Sequence, residues 1–442
     1  MSAADTQPPD ANPADGDRLV AYASPGLNGD IVVPGDKSMS HRALILGAMA
    51  SGETWIDGLL EGADVLATAA AVRAFGARVD RASNGRWRVR GCAWTSPAAP
   101  IDCGNSGTAA RLLMGAAAGF PIEAIFTGDA SLGRRPMGRV LEPLRAMAAS
   151  ADGERLPVTI RGGGLTGIAY TNIHASAQVK SAILFAGLHA TGPVAVAEPA
   201  PSRDHSENML RAFGCDVEVE DGTVRLGANR ALAGASIVIP GDPSSAAFPL
   251  VAALIAPHAR VTVRGVMTNP LRTGLLTTLA EMGADLAIAN RRTAAGEETA
   301  DITARAGPLH GVEVPAARAP SMIDEYPILA VAAAFAHGRT VLHGLGELRV
   351  KESDRLAAIV AGLTACGVEA HADGDTLTIE GQSGPPPGGA DIAAHDDHRI
   401  AMSFLVMGLG TRAPVAVDSA TMIATSFPNF VPLMRSIGGH CS

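Results

Sequence analysis

The stretch VPGDKSMSHRALILGAMA, residues 33–50, runs a turn rich in glycine, proline and cationic side chains straight into a small, apolar, helix-forming segment. A helix N-terminus exposes unpaired N–H groups and carries about half a positive charge. Ser, Asn, Asp and Gly at such a junction cap the helix, and Lys37, His41 and Arg42 beside it predict an anion site.

The pattern returns along the chain. DCGNSGTAARLLMGAAAG begins at Asp102, NIHASAQVKSAILFAGL at Asn172, IPGDPSSAAFPLVAALIA at Ile239, SMIDEYPILAVAAAFAHG at Ser321 and AHDDHRIAMSFLVMGL at Ala394. With the opening stretch these make six copies spaced by about seventy residues, longer than a solenoid of helical pairs allows. A second pattern lies between them. VRAFGARVD, LRAFGCDVEVE, LAEMGADLAIA and LTACGVEAHA place Gly76, Gly214, Gly283 and Gly367 where a helix C-cap needs positive φ, and an alternating strand follows. Each unit reads strand, helix, strand, helix, strand. Six small α/β units imply two domains of three.

Composition narrows the function classes. A chain of 442 residues with 18% charged and 4% aromatic residues suits an α/β scaffold of small-residue helices and aliphatic strands. The net charge of −9 argues against a broad nucleic-acid footprint, so any basic site is local. Cys92, Cys103, Cys215, Cys366 and Cys441 are scattered, with no Cys-x-x-Cys pair, which fits a reducing, cytoplasmic setting. The first residues carry no signal-peptide pattern and read as a mobile tail over 1–20. No apolar run approaches the roughly 18 residues of a membrane span.

Cations cluster where turns enter helices: Lys37 and Arg42, Arg111, Lys180, Arg203 and His205, and His398 and Arg399. GDASLGRRPMGR adds Arg134 and Arg135, and LRVKESDR adds Arg349, Lys351 and Arg355. Such sets grip phosphate or carboxylate. Asp324, Glu352 and Asp354 stand among them. A carboxylate near several cations stays ionised and suits a base, and one beside a lysine can share a proton and act as acid. Asp324 is equally placed to cap the helix after it. Other signals are weak. GGGLTG, residues 162–167, matches a dinucleotide fingerprint, but no helix follows it. HDDH, with His395 and His398, lacks a third metal ligand at helical spacing. GNSGTAAR lacks the Gly-Lys-Ser/Thr ending of a P-loop.

Taken in order, PGDKSMSHR, GNSGTAARLLMG, SLGRRPMGRVLEPL, SAQVKSAIL, SRDHSENML, GDPSSAAFPLVAA, IDEYPILAVAAAFA, ELRVKESDR, DHRIAMSF and ATSFPNF resemble the 5-enolpyruvylshikimate-3-phosphate synthase family from about Ala23 onward. The resemblance implies two inside-out, barrel-like α/β domains, each of three βαβαββ-type units. They are expected at 35–239, the shikimate-3-phosphate side, and at 21–34 plus 240–442, the phosphoenolpyruvate side. It also implies transfer of an enolpyruvyl group through a tetrahedral intermediate, without metal or organic cofactor, by a monomer with no nucleic-acid or membrane partner.

Carried over by motif, Lys37, Ser38, Arg42, Ser176, Gln178, Arg203 and Asp324 are expected to hold shikimate-3-phosphate. Lys37, Asn105, Gly107, Thr108, Arg135, Gln178, Arg355, His398 and Arg399 are expected around phosphoenolpyruvate. Asp324 is expected as base, Glu352 as acid and Lys351 beside the reacting carbon.

Two departures stand out. Thr425 occupies a position where many members carry a phosphate-contacting lysine, leaving Lys351 or Arg134 to replace it. RPMGR, SAQVK and IDEYP place the chain near the variant branch that includes glyphosate-tolerant members, yet Gly107 lacks the methyl associated with tolerance, so inhibition by glyphosate is expected. Two other readings compete. A sister carboxyvinyltransferase acting on UDP-N-acetylglucosamine carries a reactive cysteine or aspartate on the loop that here reads GRRPMGR, and a non-catalytic anion-binding repeat protein has no use for Asp324 and Glu352 among its cations.

Overall fold

The computed structural model describes residues 17–294 and 296–442. The tail expected over 1–20 lies outside the described residues as far as Gly16. Its last two residues are strand instead: Leu19 and Val20 pair with Val417 and Ala416.

Helices come in pairs, an inner one followed by an outer one. They are α1 (Lys37–Met49) and α2 (Ala63–Ala74), then α3 (Gly107–Ala118) with the short α4 (Ala130–Arg134) and α5 (Gly138–Ala146), then α6 (Ala177–Gly187) and α7 (His205–Ala212). The second half repeats the arrangement with α8 (Pro243–Ile255) and α9 (Gly274–Glu281), α10 (Tyr326–Phe335) and α11 (Arg355–Ala365), and α12 (His398–Gly408) and α13 (Phe430–Ser436). Each pair faces a four-stranded sheet of one topology, an edge strand parallel to its neighbour followed by two antiparallel strands. The βαβαββ unit therefore recurs six times, once per sheet.

The inner helices are apolar all round because they are buried all round: every residue of α10, and α8 from Pro243 to Leu254, is buried. Two apolar clusters result. One gathers residues from Met39 to Ile239 with Met267, and the other gathers Ala21 to Val33 with residues from Ala246 onward. Small residues let the inner helices approach closely. A Cβ on Gly115 of α3 would lie 2.5 Å from the Cα and the carbonyl oxygen of Ala182 on α6. Outer helices end as the sequence predicts, with Gly76, Gly214, Gly283 and Gly367 at φ of 108°, 90°, 83° and 79°. The two units without that signature close with Ala148 at 76° and Gly438 at 101°.

The halves exchange strands. Leu19–Tyr22 joins the sixth sheet, Asn28–Ile31 lies parallel to Arg260–Val263 in the fourth, and Ser236–Val238 lies parallel to Trp55–Asp57 in the first. The chain thus crosses between halves twice. At the crossing Gly35 and Gly241 form an antiparallel bridge, with Asp36 N–H donating to Pro240 O at 2.8 Å and Asp242 N–H to Pro34 O at 2.9 Å. On this exchange we propose the domain division 35–239 against 21–34 plus 240–442. Among the described residues no helix is long and apolar enough to cross a membrane.

Gly115→Ala should lower the unfolding free energy by about 3 kcal/mol, the upper range for overpacking, because the obstruction is backbone that cannot rotate away. Gly133→Ala, whose Cβ would meet nothing within 4 Å, should be neutral or gain about 0.5 kcal/mol. Denaturant melts of the two variants check the contrast.

Candidate active site

A cavity of about 430 Å³ lies between the halves, and the N-terminal ends of α1, α3, α6, α8 and α12 open onto it. These ends are capped by side chains. Asp36 accepts from Met39 N–H at 2.7 Å, Ser106 from Ala109 at 3.1 Å, Ser176 from Val179 at 3.4 Å and Asp397 from Arg399 at 3.0 Å. The remaining N–H groups of each first turn have no intrahelical acceptor, which makes these ends suited to an anion.

On the α1 side, Lys37 pairs with Asp64 and Ser38 lines the wall. Arg42 is only 2% exposed, yet it donates to Ser206 Oγ at 2.8 Å, Ser181 Oγ at 2.7 Å and Ser38 O at 2.9 Å, all neutral acceptors. Burial lowers its pKa to about 10, so the cation persists at neutral pH. On the α3 side, Gln178 links Thr108 to Arg111, donating to Thr108 Oγ1 at 2.9 Å and accepting from Arg111 Nη1 at 3.1 Å. Arg135 donates to Asn105 Oδ1 at 2.9 Å and reaches across the gap to 3.5 Å from Glu352 Oε1. Gly107 sits where an added Cβ would lie 2.7 Å from Arg111 Nη1 and 3.2 Å from Arg135 Nη1.

From the second half come the carboxylates. Asp324 does not cap its helix. The N-cap of α10 is Glu325, and Asp324 accepts from Arg203 Nη2 at 2.7 Å and Arg355 Nη1 at 3.3 Å, with Lys351 Nζ 3.8 Å away. Burial pushes its pKa up, but Arg399, Lys351, Arg203 and Arg355 together outweigh burial and hold it well below the ordinary carboxylate range. Glu352 is likewise pushed up by burial and pulled well below its ordinary value by Arg355, Arg135 and Lys351. Burial, with Lys37 and Arg399 nearby, keeps His398 neutral, and burial also lowers Lys351. Arg399 donates to Asp324 O at 3.3 Å.

Lys37, Ser38, Arg42, Gly107, Thr108, Arg135, Ser176, Gln178, Arg203, Asp324, Lys351, Glu352, His398 and Arg399 therefore share one cavity. Arg355 and Asn105 do not line it. Arg355, 1% exposed, stands behind the wall and donates to Glu352 at 2.5 Å and to Asp397 at 2.7 Å as well as to Asp324, because a fully buried guanidinium needs carboxylate partners. Asn105 stands behind Arg135 and donates to Asp129 at 2.7 Å.

Other junction residues have structural roles. His41 is fully buried against Thr68, and its imidazole is held neutral by burial. Lys180 pairs with Glu198 at 2.7 Å and Glu207 at 2.6 Å, and Asp354 caps α11. Arg134 is exposed and off the cavity, so of the two candidates for the cation missing at Thr425 only Lys351 lines the wall. Among the described residues Asp204, His205 and Glu297 alone approach one another closely enough for a shared metal, and Asn269, Asn208 and His205 already hydrogen-bond their carboxylates. Asp36, Asp64, Arg111, Ser202 and Arg272 also line the cavity. Of these, Arg111 carried a sequence signal, as a cation at a turn-to-helix junction, whereas nothing in the local sequence marked Asp64 or Arg272.

A family model described as EPSP synthase (3-phosphoshikimate 1-carboxyvinyltransferase) matches residues 22–434. A curated relative from Caulobacter vibrioides, named 3-phosphoshikimate 1-carboxyvinyltransferase, is 59% identical over 94% of this chain and 97% of its own. The EPSP synthase structure from Acinetobacter baumannii superposes with a TM-score of 0.86 at 43% identity, covering 96% of this chain and all of that one. The enolpyruvyl transferase NikO from Streptomyces tendae, at 18% identity and a TM-score of 0.78, shares the fold. With a family model spanning nearly its whole length and relatives this similar at both levels, the chain belongs to the EPSP synthase family.

Proposed function

We propose that the cavity between the halves is where this chain transfers the enolpyruvyl group of phosphoenolpyruvate to the 5-hydroxyl of shikimate-3-phosphate and releases phosphate. The observation that carries the assignment of roles is the pair Asp324 and Glu352, two carboxylates held among cations from both halves and facing one space. Asp324, kept ionised, takes the hydroxyl proton as oxygen attacks C2. Glu352 delivers a proton to the C3 methylene, which makes C2 electrophilic. In the second step C3 gives up a proton, the C2–O bond to phosphate breaks, and phosphate leaves. Helix N-termini and the guanidinium groups of Arg135, Arg203 and Arg399 offset the mutual repulsion of two polyanions and hold them at reacting distance.

Ser38, Arg42, Ser176, Gln178 and Arg203 form the shikimate-3-phosphate side of this reading. Lys37, Gly107, Thr108, Arg135, His398 and Arg399 form the other side. Lys351, which among the described residues has no partner closer than 3.8 Å, supplies the cation that Thr425 does not. Arg355 and Asn105 act from behind, orienting the carboxylates and Arg135. The loop at 134–139 offers no cysteine or aspartate, and the UDP-N-acetylglucosamine reaction is not favoured. The reading extends to a cytoplasmic monomer without nucleic-acid or membrane partners. Five unpaired cysteines and a net charge of −9 support the compartment and the lack of a nucleic-acid partner.

Phosphate release from phosphoenolpyruvate should depend on shikimate-3-phosphate. Asp324→Asn and Glu352→Gln should each lower kcat by about 10²–10⁴-fold with modest changes in KM. Glu352 is ionised in the free protein, so it must gain a proton before it can act as acid. Phosphoenolpyruvate competes for Arg135 and neighbouring cations, weakening the interactions that depress Glu352, so ternary-complex formation should take up a proton at pH 6–7 in wild type and less in Glu352→Gln. Calorimetry in buffers of different ionisation enthalpy measures this, and equal uptake in both proteins refutes it. Gly107→Ala should displace the Arg111 and Arg135 guanidinium groups, raising KM for phosphoenolpyruvate and the inhibition constant of glyphosate more than it lowers kcat. Steady-state assays decide between that split and an unchanged inhibition constant.

A further inference from the structure

In the cavity wall, where the two crossovers pass, Arg272 is 3% exposed. It ends the short turn Pro270–Arg272 of the second half and donates to Asp36 Oδ2 at 2.9 Å, Asp242 Oδ1 at 3.3 Å and Ser244 Oγ at 3.0 Å. Asp36 is the N-cap of α1 and immediately precedes Lys37 and Ser38, whereas Asp242 is the N-cap of α8. Ser244 in turn donates to Glu325, the residue after Asp324. One guanidinium therefore touches the helix cap that aims the α1 anion site in one half and, through Ser244 and Glu325, the segment that carries Asp324 in the other.

We propose that Arg272 is a positioning residue for enolpyruvyl transfer, the shared counter-ion that fixes the α1 N-terminus relative to Asp324 across the two crossovers. This inference rests on the functional reading above. Among the described residues no other cation hydrogen-bonds both Asp36 and Asp242. Asp36 and Asp242 are buried carboxylates that share this one guanidinium, and like charges so close cannot both stay ionised without it. The charged and titratable groups facing Arg272 are Asp36, Asp242, Glu325 and Asp324. Asp36 also faces His205 and Arg203, and Asp242 also faces Arg399. Burial raises both carboxylates. The cations bring Asp36 back down to about 2, whereas Asp242, with Asp36 beside it, stays near 6. Removing Arg272 raises both carboxylates further. The pair then holds a proton at low pH and loses it as pH rises, and the second negative charge drives the two caps apart.

Steady-state turnover with shikimate-3-phosphate and phosphoenolpyruvate, for wild type, Arg272→Met, Arg272→Lys and the double variant Arg272→Met/Asp242→Asn, tests the proposal. A misplacement of reacting groups by about 1 Å costs on the order of 10²-fold, so Arg272→Met should lose about that factor in kcat, with KM for both substrates within roughly threefold. The ratio of variant to wild-type kcat should fall from pH 6 to pH 8.5. Arg272→Lys should restore most of the loss. The double variant, free of the repelling pair, should recover part of it and lose the pH trend. An Arg272→Met enzyme with unchanged kcat per folded molecule, or a loss that is independent of pH and not rescued by lysine, overturns the positioning role and leaves Arg272 a purely structural residue. Wild type that fails to turn over both substrates refutes the functional reading instead.

Discussion

The constraint on which this structure depends is that a protein of net charge −9 must hold a dense set of buried cations at one place. Buried guanidinium and ammonium groups are costly unless paired. Asp324 and Glu352 provide the pairing: Arg203, Arg355 and Lys351 gather on the first, and Arg355 and Arg135 on the second. The carboxylates to which we assign the proton chemistry are thus also the counter-ions of these cations. Their low pKa values and their position have one cause.

The repeated unit makes this concentration of charge possible without making the surface basic. Each inner helix is apolar along its flanks and buried in the core, so only its N-terminal end meets the cavity. Five such ends converge, each with a side-chain cap, and α1, α3 and α12 add the cations Lys37, Arg42, Arg111 and Arg399. Partial charges from helix dipoles fall off within a turn, so the field stays inside the cavity. The surface, by contrast, carries exposed pairs such as Arg161 with Glu123 and Arg145 with Glu154, worth little to stability. Ion pairs that cross the gap, Arg139 with Glu347 and Arg203 with Asp324, join the two faces around the site.

Local sequence made much of this legible. The six junctions and the glycine caps at Gly76, Gly214, Gly283 and Gly367 could be read because each rests on contacts within a few residues: a cap bonds its own first turn, and positive φ is a property of one position. The residues expected at the site were read from ordered motifs shared with the family, and most of them line one cavity. The unit at α5 escaped the glycine pattern because Ala148 takes the left-handed conformation itself. Lys180, His41 and Arg42 show the limit. All three follow turn residues at a helix start, yet only Arg42 reaches the cavity, whereas His41 turns to Thr68 and Lys180 to Glu198 and Glu207.

The chain by itself determined the unit, its sixfold recurrence and the chemical character of each helix tip, since periodicity, capping and backbone φ are local. Tertiary structure alone decided which tips meet, that Asp324 faces Arg203 from 121 residues away rather than capping α10, that Arg355 stands behind the wall, and that Arg272 joins two caps lying 236 and 30 residues from it. The physical reason is that the electrostatics of a buried charge are set by whichever groups replace its water. Those groups are chosen by the strand exchange and the double crossover, which no local stretch of residues encodes.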